Sequence, residues 1–219
     1  MDRGAGVRLT GTPPVSSLPV TGVLLAAGAG TRMGRPKALV RSADGTPWLH
    51  RATTALLDGG CGSVVVVLGA AAEDARRLVP DLPGARTVVA EGWAGGPGAS
   101  LAAGVRALAD GVAACVTLVD LPTMPAAAVR RVIGAAESPD VLRRAVFGGR
   151  PGHPVLVGPA HRTALLAAVT ADPGDRSAGA WLRRAGAEWV ACGDLWDGED
   201  RDRPPVGGCD RASAASSCG

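Results

Sequence analysis

Four consecutive valines, Val64–Val67, leave the segment Ser63–Leu68 without a polar face. A strand with one side in water alternates apolar and polar residues. A strand without that alternation is covered on both faces, as in a parallel sheet sandwiched between helices. The runs Val20–Ala26 and Ala113–Val119 have the same character. Further strands are expected at Arg86–Ala90, Leu142–Phe147, Pro154–Val157 and Glu188–Ala191, the second and third of these flanking a Gly/Pro loop. Helix-like segments stand between them, because parallel neighbours need long crossovers. They are Pro47–Leu57, with Thr46 as N-cap and Gly59-Gly60 as stop, then Ala70–Val79, Ala99–Ala109, Pro125–Ala136, Pro159–Val169 and Ser177–Ala185. The alternation predicts one α/β domain over residues 20–205, built on a doubly wound, mostly parallel sheet. Residues 1–19 read as a flexible leader and 206–219 as a flexible tail.

Composition narrows the class. The 219 residues are 47% hydrophobic but only 3% aromatic, with no Tyr, so the core is aliphatic. A net charge of +3, scattered along the chain, predicts no nucleic-acid surface. No run of 18 apolar residues exists, and no apolar stretch marks the N-terminus as a secretory signal, so neither a membrane nor an export route is expected. Cys61, Cys115 and Cys192 sit in or beside apolar runs and read as small core residues. Five cysteines with no CxxC suit a reducing cytoplasm.

Open α/β sheets bind ligands beyond the carboxyl ends of their strands. The segments after Ala26, Ala90 and Val119 are therefore where chemistry is expected, and all three are unusual. The first is Ala27-Gly28-Ala29-Gly30-Thr31-Arg32-Met33-Gly34-Arg35-Pro36-Lys37. Its glycines let backbone N–H groups approach a triphosphate, Arg32 offers a fork of donors, and Lys37 a mobile point charge. It is not a Walker loop, because Ala38 follows Lys37. It is not a dinucleotide fingerprint either, because Met33 stands where the third glycine belongs and Pro36 breaks the helix that should follow. The second segment, Glu91–Leu101, runs through four glycines and Pro97 into a helix with Ser100 near its start. The third is Asp120-Leu121-Pro122. A carboxylate at the edge of a buried strand is costly unless a cation sits there, and a hydrated Mg²⁺ bridging phosphates meets that need. The competing reading is a turn or N-cap aspartate.

The first string resembles the LAAGxGxRMGxPK signature of the MobA-like nucleotidyltransferases, which include molybdenum-cofactor cytidylyl- and guanylyltransferases and sugar-phosphate and methylerythritol-phosphate nucleotidyltransferases. The resemblance spans about residues 20–205 and implies a Rossmann-like, GT-A-like fold. It implies nucleotide contacts by Leu25, Ala26, Ala27, Gly28, Gly30, Thr31, Arg32 and Lys37. Gly98 and Ser100 join them from the W-x-x-G-x-x-x-SL loop, and Asp120 becomes a metal ligand. Ala26-Ala27-Gly28 resembles the cytidylyl type, which favours CTP over other nucleoside triphosphates. Gly149–Pro154 is similar to the GRxGHP motif of that branch, whose acceptor is a molybdopterin-type cofactor. Arg150 and His153 are then acceptor-binding residues, His153 alternatively a brace for its loop.

Two motifs depart from the family. Gly174-Asp175-Arg176 is similar to GDxGAR but continues Ser177-Ala178-Gly179, and Asp175 is carried as an acceptor-binding candidate. Asp200-Arg201-Asp202-Arg203-Pro204 is similar to D-x-D-T-P with Arg203 for Thr. Asp202, and less firmly Asp200, are candidates to complete the metal site, against a plain solvated charge run. The expected function is transfer of CMP from CTP to a phosphorylated acceptor, with release of pyrophosphate. Arg32, Lys37 and Asp120 act in catalysis, the cofactor is Mg²⁺ with Mn²⁺ as alternative, and a molybdoenzyme is a candidate client. The alternatives are another superfamily transferase, of guanylyl or sugar/isoprenoid-phosphate type, and a non-catalytic nucleotide-binding maturation factor. An NAD-dependent dehydrogenase ranks last.

Overall fold

The computed structural model describes residues 18–171 and 178–200. Seven strands form one sheet in the order β3-β2-β1-β4-β6-β5-β7. β1 (Val20–Ala26) lies between β2 (Ser63–Leu68) and β4 (Ala113–Leu118), parallel to both, and β3 (Ala85–Val89) is parallel to β2. β6 (Arg150–Val157) is the reversed strand, antiparallel to both β4 and β5 (Leu142–Phe147). β7 (Glu188–Ala191) then pairs parallel with β5. The expected single α/β domain with a mostly parallel sheet is what the chain forms.

The valine run behaves as its composition requires. Val64, Val66 and Leu68 enter the core beneath α1 (Trp48–Asp58) and α4 (Ala126–Ile133). Val65 and Val67 enter the opposite core, beneath α3 (Pro97–Arg106), α5 (Arg162–Ala171) and α6 (Ala178–Arg184). Both faces are dry, and all four valines are fully buried. Cys61, Cys115 and Cys192 are buried free thiols, as expected.

Several boundaries differ from expectation for local reasons. Pro47, not Thr46, caps α1, because its extended ψ of 140° breaks the helix before Trp48. Thr46 is held instead in the turn that begins at Ser42, its amide donating to Asp44 Oδ1. The helix expected over Ala70–Val79 shrinks to α2 (Ala72–Arg76). Ala70 donates its amide to Ala27 O and Ala71 takes a positive φ, so the chain here is pulled toward the first loop before it can coil. α4 stops before Gly134, whose φ is 50°. Leu18 and Pro19 are bonded to the body through Ala136 and Ala113, so they are not part of a free leader. The tail expected at 206–219 lies outside the described residues.

The largest difference concerns Arg150–His153, expected in a loop. The connection from β5 is only Gly148-Gly149, both with positive φ, a turn that matches the twist of a tight hairpin. The strand therefore restarts at Arg150. Between the pairs Arg144–Val155 and Val146–Pro151 the register shifts, leaving Gly152, His153 and Pro154 opposite Ala145 alone. Such a bulge bends the strand and re-aims its side chains.

The packing of α1 on β1 sets the position of the first loop. Leu56 is fully buried, its Cδ1 filling the space where a side chain on Gly22 would stand. Leu56→Ala is expected to lower unfolding free energy by about 2–5 kcal/mol, measured by urea denaturation.

Candidate functional site

The carboxyl ends of β1 and β4 are neighbours in register, Leu25 opposite Leu118. The loops that follow them, together with the start of α3, enclose a cavity of about 520 Å³. Leu25, Ala26, Ala27, Gly28, Gly30, Thr31, Lys37, Ser100 and Asp120 all line it. Those residues come from three separate parts of the sequence, and the sheet brings them to one rim.

Gly30 is required for this shape. Its φ is 64°, and a Cβ there would stand 1.9 Å from Arg35 O, so the loop doubles back on itself only with glycine. The doubled loop carries Lys37 across to the end of β4. There Lys37 Nζ donates to Asp120 Oδ2 at 2.6 Å, with the two side chains only 18% and 13% exposed. The other carboxylate oxygen, Asp120 Oδ1, is buried and makes no hydrogen bond. A buried, unsatisfied carboxylate oxygen is expensive to keep. A hard cation with oxygen ligands satisfies it, and Mg²⁺ needs only one or two carboxylates when phosphates and waters complete its shell. The donor set thus fits such an ion. Among the described residues no group of three or more metal-ligating side chains exists.

A second cavity of about 450 Å³ adjoins the first through Leu118. Arg150, His153 and Asp200 line it, with Asp197 and Glu199. The segment that supplies those acids is fastened over the Asp120 loop. Trp196 donates from Nε1 to Thr123 Oγ1 at 3.2 Å and stands edge-on to Phe147, and Arg131 holds Asp194 with both guanidinium nitrogens. His153 is half-buried and forms a wall shared with a third cavity. Its Nδ1 lies 3.3 Å from Val116 O. Burial holds its pKa below the ordinary 6.5, opposed by that hydrogen bond, and Arg144 adds to the lowering. The imidazole is accordingly neutral near pH 7.

Not every expected residue reaches the first cavity. Arg32 stands on the exposed turn Thr31–Met33 and does not line it. Gly98 is buried where α3 crosses α5: a Cβ there would lie 2.8 Å from Val169 O, so its smallness serves helix packing. It lines the third cavity instead. Asp175 and Asp202 lie outside the described residues. Conversely, Trp93 lines the nucleotide-side cavity and Arg144 the third one, and neither was a candidate from sequence. Trp93 carried a signal, being a lone aromatic in a glycine-rich loop of a chain poor in aromatics. Arg144 carried none, since it sits within an ordinary strand.

A parallel sheet whose first strand runs into a glycine-rich loop, with a lysine and an aspartate closed over the cavity, defines a nucleotide-binding transferase of the α/β class. Comparison with known proteins agrees. The profile of the MobA-like NTP transferase domain matches residues 22–189, and the chain belongs to this family. It is 37% identical over 199 residues to a nicotine blue oxidoreductase of Paenarthrobacter nicotinovorans, spanning 84% of this chain and 92% of that protein. Among solved structures it is similar to Rv0371c of Mycobacterium tuberculosis H37Rv, with a TM-score of 0.66 and 25% identity over 81% of this chain and 89% of that one. The same protein has been crystallised in complex with manganese. A nucleotidyl transferase of Methanothermobacter thermautotroptrophicus shares the fold, with a TM-score of 0.65 and 22% identity, covering 80% of this chain and 88% of that one.

The half-buried His153 makes stability depend on pH. Its folded pKa is depressed, so the unfolded chain binds the proton more readily. Stability is full above about pH 6.5 and falls as pH drops through the window below it. His153→Gln should flatten that fall, measured as urea midpoints at pH 7.5 and pH 5.5.

Proposed function

We propose that the chain transfers a nucleotidyl group from a nucleoside triphosphate, CTP by preference, to a phosphorylated small-molecule acceptor, releasing pyrophosphate. The carrying observation is the Lys37–Asp120 pair with Asp120 Oδ1 unsatisfied at the rim of the glycine loop. In this reading the amides of Gly28–Thr31 and Lys37 hold the triphosphate tail. Trp93 and the first turn of α3, with Ser100, flank the base and ribose. Arg32, on the exposed turn, meets the β and γ phosphates once they are bound. Ala27 narrows the base site with its methyl group, which favours a pyrimidine. Asp120, with Asp202 or Asp200 as further ligands, would hold Mg²⁺ or Mn²⁺, which would supply positive charge beside the α-phosphate.

The acceptor occupies the second cavity, where Arg150 binds its phosphate, and Asp175, outside the described residues, is a further acceptor-binding candidate. A phosphate monoester dianion is itself a competent nucleophile. Its oxygen forms a bond to the α-phosphorus in line with the breaking bond to pyrophosphate, so the protein supplies position and charge rather than a strong base. That accords with a neutral His153, which orients and does not need to abstract a proton. A molybdopterin-type acceptor, a molybdoenzyme client and a cytoplasmic setting follow from the family resemblance and the free thiols.

One observation favours a second reading. The relative at 37% identity across nearly its whole length is named an oxidoreductase, acting on nicotine blue. The same nucleotide cavity would then hold a reduced nicotinamide nucleotide, which passes a hydride to a pigment of that type, and solvent supplies the proton. Pyrophosphate release from CTP with molybdopterin and Mg²⁺ supports the first reading. Oxidation of a reduced nicotinamide nucleotide only when pigment is added supports the second.

Asp120→Asn removes the charge and keeps the shape. Turnover is expected to fall about 10²–10³-fold, followed by pyrophosphate release, with circular dichroism unchanged. Near-normal turnover would remove Asp120 from the site.

A further inference from the structure

The third cavity is assigned no role by the reaction above. It measures about 250 Å³ and lies between the sheet and the helices α3, α5 and α6. Leu101, Val116, Val155, Leu165 and Leu182 give it apolar walls. Leu25, Pro97 and Leu118 are shared with the nucleotide cavity, so the two spaces are separated by single side chains. Apolar pockets with a few convergent polar groups are the usual seats of small molecules.

The polar groups here are His153 and Arg144. Arg144 donates from Nε to Gly152 O at 3.1 Å, and among the described residues no carboxylate pairs with it. It is half-buried, and burial first, then the cation of Arg183, lowers its pKa. A guanidinium half out of water with no anion is an uncompensated cost to the fold. The bulge at Gly152–Pro154 exists at this spot and sets His153 beside it. His153 is neutral, and with Nδ1–H given to Val116 O its Nε2 is an acceptor.

We infer that this cavity is a binding site for a flat, mostly apolar ring system bearing an anionic oxygen, with the ring between α3 and β6 and the oxygen on Arg144. This gives the acceptor's ring system a seat beside the nucleotide. It rests on the proposed function for that adjacency alone, since the binding site itself stands on the cavity and on Arg144. A ring held here faces the nucleotide cavity across Leu118, and its oxygen supplies the missing partner of the guanidinium. The bidentate fork of Arg144 suits a carboxylate, sulfonate or phosphate better than a neutral carbonyl.

The test uses two fluorescent probes on the full chain, anionic 8-anilinonaphthalene-1-sulfonate and its neutral analogue N-phenyl-1-naphthylamine. The wild-type protein should bind the anionic probe at one site per chain. Val155→Phe fills the cavity and should weaken both probes at least tenfold. Arg144→Gln should weaken the anionic probe about tenfold and leave the neutral one unchanged. Calorimetric titration of CTP with Mg²⁺ is run on all three proteins, so loss of nucleotide binding is scored separately from loss of the ring site. A melting temperature guards against an unfolded Val155→Phe, in which case Arg144→Gln decides. No probe binding by the wild type, equal effects of Arg144→Gln on both probes, or a folded Val155→Phe that binds both normally would each overturn the inference.

Discussion

The salt bridge between Lys37 and Asp120 ties the molecule together functionally. Its partners are 83 residues apart and meet at 2.6 Å. They meet because β1 and β4 are parallel neighbours and both loops leave the same edge of the sheet. The pair is mostly removed from water, so each charge depends on a counter-charge. The two opposite charges offset one another at the rim of the first cavity. The unsatisfied Asp120 Oδ1 shows that the pair alone does not complete the aspartate.

The remainder of the architecture arranges neighbours around that pair. Leu118, the last residue of β4, borders all three cavities. The reversed strand β6 delivers Arg150 and His153 to the same edge from the opposite direction, which no parallel strand in that place would do. The hairpin bulge then turns His153 into the partition between two cavities. The three cavities thus share walls that are one side chain thick. The family is named for nucleotidyl transfer, and a relative at 37% identity is named an oxidoreductase, so the fold by itself does not fix the reaction.

Much of this was legible in the residues. Val64–Val67 demanded a sheet covered on both faces, and the glycine loop, Ser100 and Asp120 were each found at strand ends where such a sheet collects ligands. Those signals are local, because a buried strand and a strained turn restrict composition wherever they occur. What stayed hidden is tertiary. Gly98 read as a nucleotide contact because its neighbours match a motif, while its smallness answers to the carbonyl of Val169, 71 residues away. Arg150–His153 read as loop because glycine and proline dominate there, yet two glycines suffice for the turn and a bulge absorbs the prolines. Arg144 differs in no sequence property from Arg143 beside it. The structure separates them: Arg143 donates to Glu188, while Arg144 donates to Gly152 O and pairs with no acid among the described residues.

The central claim is that the first loop cradles a triphosphate while Asp120 holds the divalent ion. A crystal of the chain grown with Mn²⁺ and a non-hydrolysable CTP analogue tests it directly. The account predicts an anomalous Mn²⁺ peak on Asp120 Oδ1, the triphosphate on the amides of Gly28–Thr31, and Lys37 moved from the carboxylate to phosphate oxygen. A nucleotide bound away from that loop, or a metal ion with no bond to Asp120, would contradict it.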